Sequence, residues 1–531
     1  MKKTITVLFV ALMIAGLAFA QGASESAAQK PAKTELVYAQ SVPITSLEIT
    51  GMQPQAYPAA YETAFAIFNG LVRFTPSMEI VPDLAESWTT SSNGLDWTFK
   101  LRKNVTFHDG TPFNADAVVH HVMRMIDGKT NVGALTLWNP VKEAVKIDDL
   151  TVRISTKAPY GGLLNVLAHG SGLIPSPIAV EKFGKDIGFN PIGTGPYKLA
   201  SFAPGTEVVL VANDSYFGAK PAYKKITFKY VADASARVAA LRSGEVDVID
   251  SVSAELSSTL SRDTNVKIVD VPGLRSFGIG LSQTNKLLQV PEIRIALNHA
   301  IDKASIVKVI FRGYATAISS PLAPGIDGAV KAGEYAYDSA KAKTMLESVG
   351  CILGTDGIYT YEGERLSFRM NLPSGLFPND QAVGETIQSQ LKAVGIEVKI
   401  NKIEAASYWA SLRVARDKVG YDMAMFGFNP SHGDPILHLE ALFTSNASDQ
   451  ALNLWNFIWY KDAKVDEMIA QAKGSVDSKL RLQLLDQIQR TVWAQAPYIW
   501  LYAQNNVSAS RTDVTTVNVL PVVFTLVHGE K

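Results

Sequence analysis

At 531 residues the chain is too long for one hydrophobic core, so several domains are expected. Fifty Lys and Arg balance fifty Asp and Glu, and 47% hydrophobic with 19% charged residues is ordinary for a soluble globular protein, so no whole-molecule field draws the chain to nucleic acid. The single cysteine, Cys351, excludes an internal disulfide and any multi-cysteine metal or iron-sulfur site.

Residues 1–20 differ from the rest: Lys2 and Lys3 precede an apolar run from Ile5 to Phe19 that ends Ala18-Phe19-Ala20. This predicts a cleavable secretory signal, too short to span a membrane. Residues 21–33, QGASESAAQKPAK, read as a flexible linker, and no cysteine follows the signal to carry a lipid. The mature chain is then near neutral, with 48 basic against 50 acidic residues, and a periplasm is the natural compartment.

Farther along, WTFKLR alternates Trp97, Phe99 and Leu101 as a strand, and FNADAVVHHVMRMI places Asn114 to cap a helix through Val118, Val122 and Ile126. Two stretches then repeat a helix, a glycine and a strand. In DASARVAALRSGEVDVID the break is Gly244; in PNDQAVGETIQSQLKAVGIEVKI, Val383, Ile387, Leu391 and Val394 share one helical face before Gly395 and the alternating Ile396, Val398 and Ile400. This is the pattern of an α/β protein with parallel strands. Near the C-terminus DSKLRLQLLDQIQRTVWAQ is amphipathic through Leu484, Leu485, Ile488 and Val492, and Pro497 leads into the apolar strand YIWLYA.

Residues 427–438, GFNPSHGDPILH, gather two histidines and an aspartate in a turn-rich segment. Asp434 before Pro435 fits an N-cap with proline at the first helical position, although a ligand contact is also open to it. His432 reads either as a donor to a ligand or as a rim residue, and His438 as a packed bystander. The spacing of His432, Asp434 and His438 is poor for a helical metal pair, and no metal or cofactor is implied. Trp409, Trp455 and Trp459 could stack on sugar faces or peptide planes, or simply fill the core. The chain has no G-x-S-x-G, H-E-x-x-H or P-loop, so of the hydrolases only a glycosidase using paired carboxylates stays open.

FNGLVRF (68–74), VPDLAESW (81–88), LDWTFKLRKNVTFHDGTPFNADAVV (95–119), PIGTGPYKL (191–199), RVAALRSGEVDVI (237–249), IRIALNHAIDKASIVKVIFRGYA (293–315) and YDSAKAKTMLESVG (337–350) together resemble the extracytoplasmic solute-binding proteins of ABC importers, in the family serving dipeptides, oligopeptides, nickel chelates and some oligosaccharides. The resemblance implies a two-lobed α/β periplasmic binding protein with mixed sheets and a hinge of two crossings, near Val271 to Asn285 and Tyr502 to Arg511. The larger lobe would hold residues 34–278 and 506–531, with an extra subdomain at about 58–185, and the smaller lobe residues 279–505. Such a monomer closes on its solute and hands it to membrane permease subunits; a nickel chelate is an alternative cargo.

Dipeptide-binding relatives place an aspartate where this chain has Ser431 and an arginine where it has Ser374. Loss of both clamps disfavours a zwitterionic dipeptide, because a buried charge without a partner costs several kcal/mol, and points to an oligosaccharide or a longer peptide. Relatives also bring an N-terminal loop to the cleft near Tyr57 and Tyr61, and an aromatic or arginine near Trp455, which makes Trp455 the leading ligand contact.

Overall fold

The structure is a computed structural model, and it describes residues 33–49, 57–127, 135–450, 452, 455–522 and 524–526. The signal expectation and all of the linker expectation except residue 33 fall on residues outside this set.

Two long strands organise the fold. Val266–Leu281 and Tyr498–Arg511 run antiparallel, paired from Val266 with Arg511 to Gly280 with Tyr498. Their ladder slips between Pro272 and Ser276, where proline supplies no donor and the chain bulges. Beyond the slip on one side, Tyr498–Arg511 pairs with Val248–Ile249, which lies parallel to Glu35–Gln40, and the sheet continues through Lys225–Tyr230, Glu207–Ala212 and Tyr197–Ala203. On the other side, Val266–Leu281 pairs with Met423–Phe428, followed by the parallel strands Ser367–Ser374 and Glu397–Glu404. The eleven-stranded sheet is thus two mixed sheets that share only this strand pair. A separate antiparallel sheet, Ala85–Thr90, Asp96–Leu101, Thr151–Thr156 and Val141–Asp148, packs under helix Ala115–Ile126.

Local sequence explains most elements. Asn114 caps its helix by accepting from Ala117 N at 3.2 Å. Helix Asp380–Ala393 buries Val383, Ile387 and Leu391 completely against Phe368, Met370 and Leu372 of the strand beneath, each side chain contributing roughly 1.5–3 kcal/mol. Gly395, at φ +80°, then turns the chain through a left-handed conformation in which a Cβ would meet the Tyr359 ring, and strand Glu397–Glu404 begins.

One element is longer than the sequence pattern predicts. The apolar run YIWLYA opens a strand of fourteen residues, Tyr498–Arg511, which continues through the polar Gln504, Asn505 and Asn506. These amides find partners where the strand passes from one sheet to the other: Asn505 Nδ2 donates to Asp270 at 2.9 Å, and Asn506 Nδ2 donates to the carbonyls of Leu520 and Pro521. Amphipathic periodicity carries no trace of such a passage.

Candidate functional site: a cavity where the two sheets meet

The parallel strands Glu35–Gln40 and Val248–Ile249 end side by side, and the residues just after them, Ser41 and Asp250, form one wall of a cavity of about 400 Å³. Phe311, Tyr314 and Asn379 line it from the other half, and Gln504 to Ser508 of the shared strand form its floor. Crevices at strand ends between two lobes are where ligands of α/β proteins collect. Ser251 (φ +50°) and Asn379 (φ +58°), both lining residues, hold left-handed backbones that a side chain disfavours.

The cavity wall also carries two carboxyls. Glu62, 2% exposed, accepts from Gln40 Nε2 at 2.7 Å, Tyr38 Oη at 3.0 Å and Thr525 N at 2.6 Å. Burial, and then the nearby Asp250, push its pKa well above the usual carboxylate range. Asp250 accepts from Ser41 N and Ser41 Oγ, both at 2.8 Å, with Arg237 Nε at 3.6 Å, and burial raises its pKa too. The wall is therefore less negative than two carboxylates imply.

Strand Met423–Phe428 delivers the GFNPSHGDPILH segment beside the crossing, with Phe428 opposite Ser276. Ser431 is exposed. His432 is buried, its carbonyl accepts from Asn165 Nδ2 at 3.2 Å, and burial lowers its pKa. Asp434, 1% exposed, caps helix Pro435–Phe443 by accepting from Ile436 N at 2.9 Å and pairs with Arg481 at 2.5 Å. A Cβ on Gly162 would collide with the Asp434 carboxylate, so glycine is what lets these segments approach. His438 is buried against the Phe428 ring at 5.1 Å, and burial lowers its pKa to about 3. Asn429 Oδ1, His432 Nδ1 and Ser276 Oγ are buried without a hydrogen-bond partner among the described residues, unusual for polar atoms and suited to a ligand or ordered water.

The tryptophans separate. Trp409 and Trp455 are half-buried and meet edge-on at 5.3 Å; Trp409 also contacts Phe377 and Phe426, and the Arg413 guanidinium lies 4.8 Å from the Trp455 ring centre. Trp459 is 4% exposed and sits at φ +59°. Ser374 closes strand Ser367–Ser374, half-buried, three residues before Phe377. Tyr57 opens helix Tyr57–Ile67, but its side chain lies outside the described residues; Tyr61 is buried with His169 edge-on at 5.1 Å. Glu62, Asp250, Tyr314 and Asn379 were not singled out from sequence. The one available signal was the polar run QNNVS interrupting an apolar strand.

Residues 79–450 match the sequence model for bacterial extracellular solute-binding proteins, family 5. A protein named glutathione-binding protein GsiB, from Pectobacterium atrosepticum, is 31% identical over 461 residues, covering 86% of this chain and 87% of its own length. HbpA2 from Haemophilus parasuis superposes with a TM-score of 0.83 at 24% identity, covering 93% of this chain and 99% of its own. The periplasmic binding protein DppA from Helicobacter pylori, solved with the peptide STSA, gives 0.68 at 26% identity, covering 91% and 94%. With the two-sheet architecture, the paired crossing and a match over most of its length, the chain belongs to the family 5 bacterial extracellular solute-binding proteins, non-enzymatic cargo-binding subunits of ABC transporters.

Proposed function

We propose that this protein works in the periplasm after removal of residues 1–20, captures a peptide between two lobes, and releases it intact to a permease. Residues 34–278 with 506–531 would form the larger lobe and 279–505 the smaller, hinged where the long strands slip at Pro272–Ser276. The observation that carries the reading is the cavity of about 400 Å³, lined by strand ends of one half, by Phe311, Tyr314, Pro378 and Asn379 of the other, and by the long strand that the two sheets share. Closure then requires only that cargo bind the closed form better. A micromolar ligand supplies ~8 kcal/mol, ample for such a shift.

Peptide is favoured over sugar because glutathione, in the name of the GsiB relatives, and STSA, in the DppA structure, are both peptides. Trp455, Trp409, His432, Ser431 and Ser374 lie outside the lining of this cavity; they would contact cargo that extends beyond it on the smaller lobe, with Tyr57 nearby, whereas Asp434 and Trp459 would support that contact surface from behind. Calorimetry with glutathione, mixed tri- to hexapeptides and malto-oligosaccharides tests this. Peptides should bind and be recovered unaltered; tighter binding of the sugars, or peptide cleavage, would sink the reading.

A further inference from the structure

Arg275 lies in the slipped segment of Val266–Leu281, between Pro272 and Ser276. It is half-buried, with its guanidinium carbon 6.0 Å from the Phe377 ring centre. No carboxylate is paired with it among the described residues, and the internal segments outside the description contain neither Asp nor Glu. Burial without a compensating charge depresses its pKa, a cost that the Phe377 ring offsets only in part.

Its surroundings lie at the edge of a core, next to the cavity. Phe377 immediately precedes Pro378 and Asn379 in the cavity wall and touches Trp409, which touches Trp455. Next along the strand, Ser276 carries an orphaned hydroxyl opposite Phe428, whose chain neighbour Asn429 carries an orphaned amide oxygen. An unpaired cation beside unpaired polar atoms, at the crossing between lobes, is complementary to a carboxylate with hydrogen-bonding groups near it.

We propose that Arg275 is the anchor for the C-terminal carboxylate of the cargo peptide, with the guanidinium held on Phe377 and aimed at the interlobe space. This deepens the peptide-binding reading and rests on it. The cation would take over the carboxylate clamp missing at Ser374, and it leaves the ammonium partner missing at Ser431 unreplaced.

The test uses the mature full-length protein, calorimetry, and pools of tri- to hexapeptides lacking Asp and Glu, supplied as free acids and as C-terminal amides. The wild type should bind acids more tightly than amides by about 30-fold or more. Arg275→Gln should erase that preference, Arg275→Lys should keep part of it, and the melting temperature of ligand-free Arg275→Gln should be unchanged or higher. Equal binding of acids and amides by the wild type, a preference that survives Arg275→Gln, or a ligand-free Arg275→Gln protein that melts clearly lower would overturn the assignment while leaving peptide cargo intact. Failure of every peptide pool, with malto-oligosaccharides bound instead, would remove the peptide reading and the anchor together.

Discussion

Asp434 and Arg481 form an ion pair at 2.5 Å in which the aspartate side chain is 1% and the arginine 14% exposed, directly behind the loop that carries Ser431 and His432. The same carboxylate caps helix Pro435–Phe443, so one side chain fixes the helix start and ties it to helix Ser478–Gln495. Removing only the cation leaves a buried charge. Arg481→Met should lower unfolding free energy by about 3–5 kcal/mol in denaturant titration, and adding Asp434→Asn, which keeps the capping oxygen, should recover part of it. Additive losses in the double variant would refute the coupling.

Gly162 has no room for a Cβ, because the Asp434 carboxylate and the Tyr160 ring occupy that space. Gly162→Ala should push the Tyr160–Asn165 segment off the Asp434 loop. Peptide affinity should fall about tenfold, equivalent to ~1.4 kcal/mol, and small-angle scattering of the peptide-saturated variant should show a larger radius than wild type. An unchanged radius and affinity would mean that this approach plays no part in closure.

The two half-buried tryptophans and the buried one should respond differently. Trp455→Ala removes a half-buried ring that lies under Arg413 and should weaken peptide binding by about tenfold with a smaller change in melting temperature than Trp459→Ala. Trp459→Ala empties a core position and should cost about 3–5 kcal/mol of stability. A reversed pattern, with Trp459 controlling affinity and Trp455 stability, would contradict the placement.

Stability should peak near neutral pH. Glu62 has a folded pKa raised above its unfolded value near ~4.3, so its contribution is complete below that value and is lost as pH climbs through the raised folded one. Burial lowers His121, His169 and His438 to about 3, so their contribution is complete above the unfolded value of ~6.5 and is lost as pH falls toward 3. Melting temperature measured from about pH 4 to about pH 9 should rise and then fall. Glu62→Gln should flatten the alkaline limb and His169→Gln part of the acid limb; limbs of unchanged slope in both variants would show that other groups set them.

Local signals determined a good deal about this protein. The apolar spacing of Val383, Ile387 and Leu391, the break at Gly395, and the caps at Asn114 and Asp434 are all legible along the chain, because capping and one-sided burial depend on residues a few positions apart. Tertiary structure alone decided the rest. LWNFIWY places one tryptophan at a half-buried surface and another in the core, a choice made by a left-handed backbone at Trp459 and by packing from distant elements. Likewise Glu62 meets Thr525, and Ser276 lies between Phe428 and Ala503, only after long loops close and the strand register is set. Desolvation and pairing of these groups depend on which remote segments arrive beside them, and no period in a single sequence encodes that arrival.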